Sequence, residues 1–364
     1  MEKKIRVGII GVTTGSWATI SHIPALKALP DYEITAISNR NHDKALEVSK
    51  QYNIPLIFDN NHDLINSPEV DVVVITVKVS EHRALVIDAI NAGKTVFCEW
   101  PLGIDLAETK ELYELAKKKG VRAVVGLQSR AIPAVQYVKD LIKDGYVGEV
   151  LSTTLLGSGL IYADYMPQKF AYTADAKNGA GMIHSSFSHT MDVICDVLGE
   201  FSELNALATN RRKTTTIVET GEVIPMTAFD QIAVNGILRS GAVISAHYRG
   251  GMLKGTNFMW EITGTSGELL ITAAGGHPSV FPLTVQGGHG DEEMKVLEVP
   301  EKYYALKQGD LSTNAFNQAQ YYAWLAKDIK EGTHLSSSFE VALTRYEMVN
   351  AIEVAAKRGV RGSY

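Results

Sequence analysis

No run of about 18 apolar residues occurs in the chain, so no membrane-spanning helix is expected. Nor is there an excess of base: 41 acidic residues stand against 35 lysines and arginines, a formal charge of −6. That balance gives nucleic acid and anionic membranes no electrostatic reason to bind. Cysteine is scarce. Cys98 and Cys195 lie far apart in apolar or helical contexts, and two buried free thiols, suited to a reducing cytosol, are expected in preference to a disulfide. The opening Met1-Glu2-Lys3-Lys4-Ile5 runs into strand-like sequence with no separate apolar leader, which adds to the expectation of a cytoplasmic protein. There is no P-loop and no nucleophile-elbow serine. His277 and His289 lie in glycine-rich loops without ligand-spaced partners, so no metal is expected. What remains is ordinary globular composition, 45% hydrophobic and 21% charged over 364 residues, a length that favours two domains.

The first third alternates strand and helix. Ile5 to Ile10, Ile34 to Ile37, Leu56 to Phe58, Val70 to Val77, Thr95 to Cys98 and Ala123 to Leu127 read as strands. Helical sequence separates them, including Ala45 to Tyr52, Ala84 to Asn91 and Leu106 to Lys119. Near-continuous apolar strands with intervening helices predict a doubly wound parallel sheet covered on both faces. Such a sheet binds ligands outside the carboxyl ends of its strands, which directs attention to Gly11–Ser16, Ser38–Arg40, Lys78–His82 and Glu99–Pro101. Beyond residue 127 the texture changes. Helices at Ala134 to Lys143 and His184 to Leu198 accompany longer strands between Val150 and Thr272, a pattern that predicts an α+β domain with a largely antiparallel open sheet. The division expected is 1–125 and 126–364. Gly250-Gly251, Gly275-Gly276 and Gly287 to Gly290 read as turns or mobile loops, and Ser338 to Arg358 as a closing helix.

Val7 through Ser16 is a strand, a small-residue turn and a helix start, able to present backbone amides to a pyrophosphate. It departs from GxGxxG at Thr13 and Ser16, whose hydroxyls can donate to phosphate. The second strand ends in Ser38-Asn39-Arg40 with no acid, and an arginine beside hydroxyl and amide suits a ribose 2′-phosphate. The dinucleotide expected is NADP, with NAD as the alternative. The alternative for Arg40 is a solvated loop residue.

Several phrases then resemble one superfamily, that of glucose–fructose oxidoreductase and inositol dehydrogenase. Ala92 to Leu102 is similar to its "AGKHV…EKPL" segment, Gly126 to Arg130 to its "GxNxR" strand end, and Gly179-Ala180-Gly181 with His189 and Asp192 to its "GGG…DxGxHxxD" helix. The resemblance implies a Rossmann domain holding the cofactor, and a C-terminal sheet domain forming the substrate wall and a homo-oligomer interface. It also implies catalysis by the lysine of EKP and the aspartate and histidine of DxGxH. Here His189 is kept, Trp100 stands for the lysine, Ser185 for the aspartate and Phe187 for the glycine. These departures, with "VKVSEH" (Val77 to His82), "LQSR" (Leu127 to Arg130) and "GVTTGSW" (Gly11 to Trp17), resemble the fungal galactose-pathway repressor branch. That branch consists of dinucleotide-binding sensors that contact a protein partner without recognised turnover.

The candidate cofactor residues are Gly11, Thr13, Thr14, Gly15, Ser16, Trp17, Asn39, Arg40, Lys78, His82, Glu99, Trp100 and Gln128. His189 and Lys78 are the candidate proton-handling pair. Lys78 either replaces the missing lysine, its pKa lowered by burial, or contacts cofactor ribose or phosphate only. Arg130, Tyr162, Tyr165, Ser185 and His189 are candidates for a carbohydrate-like substrate, because tyrosine faces stack on sugars. Ser185, His189 and Asp192 share a helix face, so Asp192 or Ser185 can set the His189 tautomer; the alternative is a core histidine. Three functions stay open: an NAD(P)-dependent sugar or polyol oxidoreductase, a non-catalytic sensor with a protein partner, and a redox-neutral enzyme.

Overall fold

Val72–Ile75 is four β-branched residues in a row, all buried; such a run can only be the centre of a sheet covered on both faces. The computed structural model, which describes residues 3–359, places it there. Six strands, β1 (Ile5–Ile10), β2 (Tyr32–Ser38), β3 (Leu56–Phe58), β4 (Val72–Ile75), β5 (Thr95–Glu99) and β6 (Ala123–Gly126), form a parallel sheet in the order β3-β2-β1-β4-β5-β6. The order reverses between β1 and β4, which is the switch point of a dinucleotide fold. Helices α1 (Ile23–Lys27), α2 (His42–Tyr52), α3 (Asn61–Asn66), α4 (His82–Asn91) and α5 (Leu106–Lys119) connect the strands. Their boundaries follow local chemistry. Asp105 caps α5 by accepting from the Glu108 amide, and Gly120 closes it at φ 63°, a left-handed value that favours glycine.

The second unit begins at Ser129. It contains α6 (Pro133–Lys143), β7 (Val150–Ser158), β8 (Tyr165–Met166), α7 (Ser186–Leu198), β9 (Phe201–Thr209), β10 (Thr214–Ile217), β11 (Val223–Pro225), β12 (Gln231–Leu238), β13 (Val243–Arg249), β14 (Phe258–Gly264), β15 (Gly267–Ala273), β16 (Thr284–His289) and β17 (Lys295–Val296). Eight strands make one sheet, β17-β16-β15-β14-β7-β13-β12-β9, antiparallel except where β7 meets β13. Alternation along β12 and β13 puts Ile232, Val234, Ile244, Ala246 and Tyr248 in a core with Phe187, Met191 and Ile194 of α7, while Leu207, Ile237 and Val243 remain exposed on the opposite face. A small sheet, β11-β10-β8, carries its own cluster of Met166, Ala174 and Met226.

Glycines 287 and 288, read from sequence as part of a turn, lie within β16. A Cβ on Gly287 would come within 3.0 Å of Leu297, Leu269 and Tyr146, so the glycine marks close packing rather than a loop.

The chain from Ala305 to Tyr346 groups with the first unit, a return that a single boundary near 125 leaves out. Its helix α8 (Thr313–Glu331) was not evident in the sequence, and α9 (Phe339–Arg358) was. Between them Asp328 accepts from the Leu335 and Ser336 amides and the Thr333 hydroxyl. Ser337 and Ser338 then lie along β6: the Val125 amide donates to the Ser337 carbonyl, and Val124 bridges to Ser338. The segment thus covers a sheet edge that would otherwise be open. Lys330 pairs with Asp31 before β2, while the Asn314 carbonyl accepts from Ser21 just after β1. The N-terminal half of α8 therefore lies by the carboxyl ends of the strands. Among the described residues, no helix is long and apolar enough to cross a membrane. Both cysteines are buried, and neither is in a disulfide.

Candidate functional site

In the first unit, β1 ends at Gly11 with φ 95°. A Cβ there would fall 2.7 Å from Val77 Cγ1, so only glycine lets β1 and the end of β4 approach this closely. Gly15, at φ 75°, faces open space. The turn between them is braced by its own side chains. The Thr13 amide donates to Ser16 Oγ, and Asn39 Nδ2 donates to the Val12 carbonyl and to Thr13 Oγ1. Asn39 therefore shapes the turn. Thr14 donates its hydroxyl to Glu47. The following helix opens with a π-turn, Ala18–His22, a form common at functional sites.

Arg40 reaches from the end of β2 to Glu81 at 2.8 Å, with the guanidinium largely exposed. Lys78 flanks the single turn Val79–Glu81 and is exposed. His82 does different work from that expected. Its two ring nitrogens lie 2.9 Å from the Pro101 carbonyl and 3.0 Å from the Val77 carbonyl. It is fully buried, which lowers its pKa, and it packs between the end of β4 and the loop after β5, its single N–H donating to one of the two carbonyls. Trp100 is likewise packed inside the unit. It is 6% exposed, packs within the Rossmann core and stacks obliquely on Tyr346 at 5.1 Å, so the lysine of the EKP pattern is replaced by a core residue.

Glu99 ends β5 with Oε1 3.0 Å from His22 Nε2, too bent for a full hydrogen bond. His22 Nδ1 meets Tyr322 Oη at 2.7 Å. His22 was not legible as a site residue, since its partners are 77 and 300 residues away in the chain. Gln128, two residues past β6, is buried with Oε1 lacking a hydrogen-bond partner, as do Trp17 Nε1 and both amide atoms of Gln318 on α8. Buried polar groups are nearly always satisfied in proteins. A donor, an acceptor and a carboxamide left unmatched, all toward the carboxyl edge of one sheet, fit a pyridine nucleotide, which offers carboxamide, ribose hydroxyls and phosphate oxygens.

In the second unit, α7 carries His189. It is 6% exposed, its Nδ1 has no hydrogen-bond partner, and burial lowers its pKa to about 4; it is a neutral imidazole at pH 7. Neither Ser185 nor Asp192 sets its tautomer through a hydrogen bond. Ser185 Oγ pairs with Tyr162 Oη at 2.6 Å, and Tyr162 also donates to the Ala180 carbonyl at 2.9 Å. Asp192 is fully buried and forked by Arg130, whose third nitrogen bonds Asp196. Arg130 is thus spent on two aspartates rather than presented to a substrate. Tyr165 is 67% exposed on the small sheet, unlike Tyr162, which is buried beside Ser185.

The residue that sequence reading discarded is His277. Its ring lies 4.5 Å from that of His189, tilted by 46°, and burial together with His189 lowers its pKa. Its approach comes from a clamped loop. The Tyr248 and Thr190 hydroxyls both lie within hydrogen-bond distance of the Gly276 carbonyl, and a Cβ on Gly276 would stand 1.9 Å from the Ser158 carbonyl oxygen. Among the described residues no group of three or more His, Cys, Asp or Glu side chains could hold a metal.

Comparison with known proteins matches both halves. Residues 5–127 fit the oxidoreductase family model for an NAD-binding Rossmann fold, and residues 133–273 fit the Gal80p C-terminal domain. The dehydrogenase aclE of Aspergillus oryzae is 28% identical, with 100% of this chain and 99% of that protein covered. The galactose/lactose regulatory protein GAL80 of Kluyveromyces lactis is 28% identical over 86% of this chain and 70% of its own. Levoglucosan dehydrogenase, solved with NADH and levoglucosan, shares the fold: TM-score 0.85 at 21% identity, covering 98% of both chains. Residues 5–127 are thus of the Gfo/Idh/MocA oxidoreductase type with an NAD-binding Rossmann fold, and residues 133–273 of the Gal80p C-terminal type.

Proposed function

We propose that the protein is an NAD(P)-dependent oxidoreductase of a sugar or polyol, with His189 as the group that takes the substrate hydroxyl proton. The observation that carries this reading is the state of His189: neutral, buried, and with a ring nitrogen that nothing in its own unit occupies. A general base must be unprotonated at working pH and free to accept. When bound, the dinucleotide supplies the hydride acceptor. In the first unit, the Gly11–Ser16 turn takes the pyrophosphate, and Trp17, Gln128 and Glu99 meet the nicotinamide half. Lys78 supplies the ammonium that Trp100 no longer can.

Arg40 favours NADP(H). Its exposed pairing with Glu81 is worth at most about 1 kcal/mol, so a doubly charged 2′-phosphate displaces that partner at small cost. The exposed Leu207, Ile237 and Val243 on the open sheet face are where a second copy of the chain would pack. The second reading is a dinucleotide-dependent sensor. It is favoured by one observation: Trp100 fills the core where the family's catalytic lysine would stand.

The test is a turnover screen following reduced-nicotinamide absorbance with NADP and NAD against aldoses, ketoses, inositols and sugar acids. Reduction that is lost in His189→Ala and Lys78→Ala establishes the dehydrogenase. Tight cofactor binding with no turnover in either direction refutes it in favour of the sensor.

A further inference from the structure

His277 sits on a tightly held loop. Two adjacent glycines leave its loop no slack, because a Cβ on Gly275 would strike the Phe281 ring at 2.1 Å and one on Gly276 the β7 backbone. Two buried hydroxyls, Tyr248 Oη and Thr190 Oγ1, lie within hydrogen-bond distance of both the Gly276 carbonyl and the Ser186 carbonyl at the start of α7, each with one proton to donate. The backbone of the loop is thereby fastened to the helix that carries His189. His277 Nδ1 is held by Ser279 Oγ at 3.0 Å. This fixes the ring and leaves its other nitrogen to be used elsewhere.

We infer that His189 and His277 form one neutral hydroxyl-reading station, and that His277 binds an uncharged vicinal diol of the substrate. With His277 Nδ1 held by Ser279 and His189 Nδ1 without a partner, each ring has a nitrogen left to meet one hydroxyl of a diol, and a hydroxyl can donate or accept as that nitrogen requires. Rings 4.5 Å apart and tilted can address two adjacent hydroxyls without bonding to each other. The charge around them points the same way. The pair is uncharged at neutral pH because burial disfavours protonation, and Arg130, the cation bonded to α7, is already neutralised by Asp192 and Asp196. These groups offer a carboxylate or phosphate no cation to pair with. The pair accordingly favours an uncharged diol over a carboxylate or phosphate at this point of the substrate.

This inference rests on the proposed assignment of His189 to the substrate site, and its test needs no turnover. Histidine ring resonances of the full chain, without cofactor, are followed by NMR during titration with myo-inositol, glucose, glucuronate and glucose 6-phosphate. The expected result is that His189 and His277 signals move together with a neutral compound, and that the two anions bind more weakly. His277→Phe keeps ring and volume and is expected to weaken binding about tenfold, the cost of one lost hydrogen bond; His277→Gln, which keeps a donor and an acceptor, recovers part of that loss. Equal or tighter binding of the anions, wild-type binding by both variants, or no movement of either ring with any polyol overturns the inference. Polyol binding without cofactor reduction leaves the station standing and removes the oxidoreductase reading. Reduction by a sugar acid alone does the reverse.

Discussion

Arg130 grips Asp192 through both carboxylate oxygens, Nε to Oδ2 at 2.8 Å and Nη2 to Oδ1 at 2.6 Å, with the aspartate fully buried. The pair joins the segment before α6 to α7, the helix that presents His189. Breaking a buried pair from one side strands the other charge. Asp192→Asn is therefore expected to destabilise the protein by about 3 kcal/mol, read by urea unfolding. A change below the scatter of the measurement would show that Asp196 alone satisfies the guanidinium.

Trp100 occupies the position of a lysine that the family uses in catalysis, yet it lies in the core against Tyr346. Restoring the family residue does not restore the family site. Trp100→Lys leaves a cavity and buries an ammonium, at a cost of about 3–5 kcal/mol. The expected result is a lower melting temperature with no gain in turnover. A stable, more active Trp100→Lys protein would mean that the side chain can leave the core.

His184 and His189 both have folded pKa values lowered to about 4 by burial, below the ordinary 6.5. The unfolded chain then binds more protons between these values, so stability falls as pH drops from about 6.5 to about 4 and is level above. One such ring contributes up to about 3 kcal/mol to the fall. His189→Gln is expected to flatten part of the slope in unfolding measured across that range. The same burial places the acid limb of any activity profile well below pH 6.5.

Arg40 crosses from the end of β2 to Glu81 at the end of the β4 turn. Arg40→Ser is expected to weaken NADPH binding by about tenfold or more, as expected for loss of a charge-assisted phosphate contact, and to leave NADH binding nearly unchanged. Fluorescence titration with both cofactors checks it. Equal losses for the two would assign Arg40 to the shape of the turn instead.

The division between sequence and tertiary structure runs through particular residues. Local chemistry made the first six strands legible, because β-branched runs such as Val72–Ile75 have one stable setting. It made α5 legible from its apolar spacing and its cap. The π-turn after Gly15 and the 19-residue α8 escaped. In α8 the buried face mixes Asn317, Gln318 and Gln320 with tyrosines, which defeats an apolar-period reading.

Residue types alone determined that a parallel strand–helix unit with a phosphate-type turn is followed by an antiparallel sheet, while the family resemblance added that His189 is kept and the lysine and aspartate are gone. These follow from short-range pattern, where each residue reports its own backbone or its own turn. Only the tertiary structure decided that Trp100 is core, that Arg130 is neutralised, that His82 packs between two loops and that His277 stands on His189. Each of these depends on a partner 19 to 246 residues away in the chain, and no local periodicity records which distant atoms will share a buried space. Burial, not identity, decides whether a histidine is a base, a staple or a surface charge.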